Sequence, residues 1–168
     1  MRLLLRMWMI TVAALVAVTV MFTYAAALTI TTAAVTFPEV TLDGSTQTVS
    51  GSTSPWRAGG TGETSGWNIT VVSTDFSNAG DKTIAVANFQ IRLLDSNIVV
   101  VSGDTSGPES TQITFATLSG AALKIASAAV SEGDGVYDLT PDFRLTVPAE
   151  TYAGNYIATV TVVISAGP

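Results

Sequence analysis

The sequence predicts an all-β protein, an antiparallel β-sandwich of eight to ten strands behind an N-terminal apolar signal helix. Three observations lead there. Apolar and polar residues alternate with a period of two, not 3.6. Thr, Val and Ile are abundant, and their β-branched side chains suit a pleated, half-buried surface. Short clusters of Gly, Asp, Asn and Ser punctuate the alternating runs at close spacing, as in sandwiches and barrels.

The elements follow in chain order. Arg2 and Arg6 form a short basic start, and Met7 to Ala27 carries no charge. The segment ends in Tyr24-Ala25-Ala26-Ala27, a small-x-small pattern of the kind read by signal peptidase. Residues 1–27 are therefore expected to be a cleaved signal peptide. A retained membrane anchor is the competing reading, because the run has about the 20 residues a bilayer-spanning helix needs. Residues 28–168 are expected to form one domain, long enough to build a core.

Within that domain, Leu28, Ile30 and Thr32 alternate with Thr29 and Thr31. Trp67, Ile69 and Val71 alternate with Asn68 and Thr70, and Phe89, Ile91 and Leu93 with Gln90 and Arg92. Ile113 and Phe115 predict a strand over 112–115. Phe143, Leu145 and Val147 predict another, and Tyr156 to Ile164 a last one. That last strand is apolar on both faces, which predicts a central place in its sheet. The alanine-rich stretch Ala121–Val130 is read as a strand, although its alanines would also tolerate a short helix. Turn chemistry falls at Asp43-Gly44-Ser45, Asn78-Ala79-Gly80-Asp81, Ser102-Gly103-Asp104, Gly133-Asp134-Gly135 and Ala153-Gly154-Asn155. Gly51–Gly66 lacks any pattern and is expected to be a long flexible loop.

Composition excludes several function classes. The 168 residues include no Cys and no His. There is then no disulfide framework, no thiol nucleophile, no Ser-His-Asp triad and no His- or Cys-ligated metal. The chain holds 7 basic and 13 acidic residues, a net charge of −6. Loss of Arg2 and Arg6 with the leader would leave 5 basic residues against 13 acidic, a net of −8. That balance argues against nucleic acid as a partner. No spacing selects a carboxylate pair for acid–base work, so the chain is expected not to be an enzyme and to need no cofactor.

Two segments carry a resemblance. The first is Gly66-Trp67-Asn68-Ile69-Thr70-Val71, followed by Asp75-Phe76 and Lys82-Thr83-Ile84. The second is Tyr156-Ile157-Ala158-Thr159-Val160-Thr161-Val162-Val163-Ile164-Ser165-Ala166-Gly167-Pro168. Together they resemble the WxL family of bacterial cell-surface domains, in its Trp-x-Leu strand and its terminal Tyr-x-x-x-Leu-Thr-Trp-x-Leu block. Ile69 stands in the Leu position, and Val162 replaces the second Trp. The resemblance covers residues 37–168. It implies an Ig-like, WxL-like sandwich, secreted and held non-covalently at the cell wall. Cell-wall polysaccharide or peptidoglycan, or other surface proteins, would be its partners.

The candidate contact residues are Trp56, Arg57, Trp67, Ile69, Tyr152 and Tyr156. Trp56 and Arg57 sit together in the patternless segment, where an aromatic and an arginine suit a surface contact; alternatively Trp56 folds back to cap the sandwich. Trp67, in mid-strand, reads either as a core residue whose indole N–H finds a backbone carbonyl or as a platform for a sugar ring. Tyr156 is expected to anchor the last strand through its hydroxyl. Asp75, Asn78 and Asp81 lie three residues apart in one loop, and Glu132, Asp134 and Asp138 cluster in another. Both are weak calcium candidates and both also read as solvated turns. A second function class comes from the apolar segment Leu28–Phe37, which could be donated to the open sheet edge of a neighbouring copy and so build a filament or surface layer.

Overall fold

The computed structural model describes residues 28–168. The expected leader, residues 1–27, lies outside the described residues. What is described is all-β: fifteen strands, two single 3₁₀ turns and no α-helix. In chain order the strands are β1 (Thr29–Thr31), β2 (Val35–Thr36), β3 (Gln47–Thr53), β4 (Trp56–Gly59) and β5 (Trp67–Ser73). Then come β6 (Phe76–Ser77), β7 (Thr83–Ile84), β8 (Phe89–Arg92), β9 (Ile98–Gly103) and β10 (Glu109–Ser110). The chain closes with β11 (Ala116–Thr117), β12 (Leu123–Ala128), β13 (Gly135–Leu139), β14 (Asp142–Val147) and β15 (Val160–Ala166).

Strands outnumber the expected eight to ten because long ones are broken in the middle. β4 pairs with β13 and β3 pairs with β14, all antiparallel. Pro55 falls in the β3–β4 break and Pro141 in the β13–β14 break, between the Leu139–Trp56 and Phe143–Gly51 pairs. A proline cannot donate to the ladder, so two prolines at one level interrupt both strands together. The same break recurs next door, where β8 pairs with β14 and β9 with β13 around the Asp95–Asn97 turn. Asn97 braces it: its carbonyl accepts the Thr140 N–H at 2.9 Å and its Nδ2 donates to the Thr140 carbonyl at 3.0 Å. At the far side β1 pairs with β4 and β2 with β3 in one shared register, from Thr29 opposite Gly59 to Thr36 opposite Ser52. The N-terminal segment thus pairs within its own chain. These strands form two sheets that meet at the breaks, one of order β1-β4-β13-β9 and one of order β11-β8-β14-β3-β2.

A third sheet has the order β10-β12-β5-β15. In β5 every second residue is buried, Trp67, Ile69, Val71 and Ser73 facing inward. A bulge in β12 turns both Ile125 and Ala126 inward. The three sheets share one core, a β-sandwich-like arrangement. A chain of rings runs through it: Phe37, Phe76, Phe89, Phe143 and Trp56 lie at successive centroid separations of 6.4, 5.1, 5.6 and 5.9 Å. Trp67 packs on Tyr137 at 5.9 Å.

Three expectations need correction. Gly51–Gly66 is no long flexible loop: β3 ends and β4 lies within it, and only residues 54–55 and 60–66 lie outside strands. The strand expected over 112–115 is irregular, because Ile113 is exposed and Phe115 lies outside the core against the Arg92 and Arg144 guanidinium groups. Leu118 fills the core there instead. The alanine-rich stretch is a strand as expected, forming β12. β15 is an edge strand, not a central one. Val163 faces out beside Thr70 and is 47% exposed, so its β-branched shape here serves the strand backbone and not burial.

Candidate functional site

Alternation along β4 decides the fate of the Trp56-Arg57 pair. Trp56 and Ala58 point inward and are buried, while Arg57 points out. Arg57 meets Asp138, directly opposite on β13, in a bidentate pair, Nε to Oδ1 at 2.9 Å and Nη2 to Oδ2 at 2.8 Å. The hydrogen bond from Arg57, and then its charge, hold the Asp138 carboxyl below the usual carboxylate range. The pair is solvent-facing, so its contribution to stability is small.

Trp67 is fully buried, and its Nε1 donates to the Gly133 carbonyl at 3.0 Å. Its ring occupies space that glycines leave open. A Cβ on Gly60 would lie 2.5 Å from Nε1, and a Cβ on Gly133 would lie 2.6 Å from it. Ile69, beside it, is fully buried too. Trp56, Trp67 and Ile69 are therefore core residues that present no face on the outer surface, which removes them as wall contacts.

Tyr152 and Tyr156 stand differently. Tyr152 is exposed, Lys82 Nζ lies 4.5 Å above its ring, and its carbonyl accepts the Tyr156 hydroxyl at 3.0 Å. Tyr156 thus pins the approach to β15 and not the strand itself, which starts at Val160. Exposed Ile157 bridges to Ser77 on the β6–β7 hairpin, with both backbone hydrogen bonds at 2.9 Å. The fold so gathers Lys82, Tyr152 and Ile157 into one surface patch.

The calcium candidates do turn work. Asp75 Oδ1 accepts the Val86 N–H at 2.7 Å. Asn78 Oδ1 accepts the Gly80 and Lys82 N–H groups, both at 2.9 Å, and Asp81 takes a positive φ of 57°. In the other loop Asp134 Oδ1 accepts the Gly62 N–H at 2.7 Å, and Asp138 is held by Arg57. Among the described residues no three acidic side chains gather as a metal-holding group.

One exposed apolar feature was not expected from the sequence. Val99, Val100 and Val101 are 56%, 39% and 47% exposed. They lie on β9, the free edge of its sheet, with apolar side chains on both faces. Ile98 to Val100 runs in regular register against β13, and a bulge follows at Val101. The signal was present in the sequence: four consecutive apolar residues with no alternation, bounded by Asn97 and Ser102.

The chain matches no known family and no curated protein. Among solved structures it is similar to part of a family 123 glycoside hydrolase from Clostridium perfringens, a structure described in terms of glycolipid glycan hydrolysis. The TM-score is 0.38 and the identity 16%, over 73% of this chain and 19% of the hydrolase. A likeness at that level carries no argument for this chain.

Proposed function

We propose that the chain is a non-enzymatic, secreted cell-surface module with a WxL-like sandwich, held non-covalently at the bacterial cell wall. The β9 edge carries this reading. A free, uncharged edge with three exposed valines offers a partner both apolar contact and unpaired backbone groups. Protein edges are usually blunted by charge, proline or a bulge, and only the bulge at Val101 does so here. The leader pattern of residues 1–27 and the two WxL-like segments supply the surface location and the wall as the place of attachment. Of the acidic residues weighed as metal candidates, Asp75 and Asp134 accept backbone N–H groups and Asp138 is paired with Arg57, which supports binding over chemistry.

A second reading, a filament or surface-layer subunit built by N-terminal strand donation, is favoured by a specific observation. β1 and β2 are short and half-exposed, and the connection Pro38–Thr46 to β3 is mostly exposed. Phe37 sits over Gly51, where a Cβ would lie 2.6 Å from its ring, so the seat it fills is shaped for one aromatic and would accept the same residue from another copy. Sedimentation with and without purified cell walls separates the two. Wall-dependent pelleting of otherwise monomeric protein supports the first, and wall-independent polymer supports the second.

A further inference from the structure

The sandwich is open along one flank. There the edge formed by β1 and β2 faces the edge formed by β15, and a cleft of about 490 Å³ lies between them. Ala33 and Val35 line one wall, Ala158, Val160 and Val162 the other, and buried Trp56, 1% exposed, also lines it. The volume falls within the range of small-molecule sites. No Lys, Arg, Asp or Glu lines it among the described residues.

Trp56 supplies the second observation. Its Nε1 is the one buried side-chain nitrogen or oxygen among the described residues without a hydrogen-bond partner. The other core indole, Trp67, has its acceptor. A buried donor left unmade costs free energy that an acceptor brought by a ligand would recover. Alkyl and aromatic walls select an apolar ligand, and two extended strand edges running alongside select a linear one. The lack of any cation at the walls, on a chain of net charge −6, disfavours a carboxylate. We propose that this cleft binds a neutral alkyl chain carrying one hydroxyl or ester oxygen, which accepts the Trp56 Nε1 proton.

The test uses the full chain with ¹⁵N-labelled indoles, titrated with 1-hexanol, n-hexane and hexanoate as soluble probes. Trp56→Phe assigns the Trp56 indole signal by its loss, and thermal melting confirms that each variant is folded. 1-Hexanol is expected to shift the Trp56 N–H signal downfield while leaving that of Trp67 in place. It should bind about tenfold more tightly than n-hexane, the effect of satisfying one buried donor, and more tightly than hexanoate. In Trp56→Phe the alcohol and the alkane should bind within about twofold of each other. Ala158→Trp, which fills the cleft from its half-exposed wall, should abolish the 1-hexanol shift. Should Trp56→Phe fail to fold, Ala158→Trp and the three wild-type titrations decide. An unmoved Trp56 signal, equal binding of alcohol and alkane to the wild type, binding of hexanoate as tight as 1-hexanol, or a shift that persists in Ala158→Trp overturns the proposal.

Discussion

Gly133→Ala should be among the most damaging single-methyl changes in this fold, and Gly44→Ala is its control. Both glycines hold a left-handed backbone, with φ of 77° and 81°. An alanine in that conformation costs about 1–2 kcal/mol wherever it stands. Around Gly44 a Cβ meets nothing within 4 Å, so the cost ends there. A Cβ on Gly133 would sit 2.5 Å from the Ala128 Cβ and 2.6 Å from Trp67 Nε1. Relief requires the indole to move, which adds about 1–3 kcal/mol of overpacking. It also endangers the Trp67–Gly133 hydrogen bond, and a buried donor left unpaired costs about 1–3 kcal/mol more. The expected total is about 3–8 kcal/mol, a large part of the roughly 5–15 kcal/mol of a typical domain. Urea unfolding followed by tryptophan fluorescence reads the difference as a lower midpoint at constant slope. Equal midpoints for the two variants would refute the view that Gly133 exists to seat Trp67.

Other outcomes follow from the same packing. Trp67→Ala should cost about 3–5 kcal/mol by urea titration, as large aromatic truncations do; an unchanged midpoint would show that the ring is not core. Deleting β1 and β2, so that the chain starts at Glu39, should give a destabilised monomer by melting and sedimentation velocity, because Phe37 is lost from the ring cluster. Stability should also fall at both ends of the pH range. Hydrogen bonds from Ser45, Ser106 and Arg57 hold Asp43, Asp104 and Asp138 below the usual range. Their folded pKa values lie below the unfolded ones, so their contribution is present above about pH 4 and is lost as the pH drops through the folded values. Tyr137 runs the other way. Burial first, then the charges of Asp104 and Asp134, raise its phenol, so its contribution is present below about pH 10 and is lost as the pH rises through the folded value. Melting temperature against pH, with phenolate absorbance on the alkaline side, checks both signs.

Much of the fold was legible because strand burial writes itself as alternation. Trp67, Ile69 and Val71, Phe89, Ile91 and Leu93, and Phe143, Leu145 and Val147 all face inward as their spacing predicts. Three failures have physical causes. Trp56 lies on a four-residue strand between Pro55 and two glycines, too short to display a period, and only its partner β13 reveals its facing. Ile113 and Phe115 alternate without being core, because an arginine pair offers Phe115 a surface seat. β15 reads as central because a β-branched residue suits a strand backbone whether its side chain is buried or, like Val163, exposed. The candidate site was less legible still. Of six residues proposed as contacts, three are core, since an aromatic in a strand signals burial as readily as binding. The valine edge of β9 escaped notice because an unalternating apolar run is ordinarily a buried strand, and edge position depends on pairings that no local pattern encodes.

Wall retention of an edge variant bears most directly on the proposed role. Val99→Asp combined with Val101→Asp places charge on exposed positions of the β9 edge, where substitutions away from the core usually change stability by less than about 0.5 kcal/mol each. Purified wild-type chain and the variant, matched by melting curve, would be spun with and without purified bacterial cell walls. The account predicts that the wild type pellets only with walls and that the variant remains in the supernatant. Wild type that stays soluble beside the walls, or a variant that pellets as fully as wild type, would contradict it.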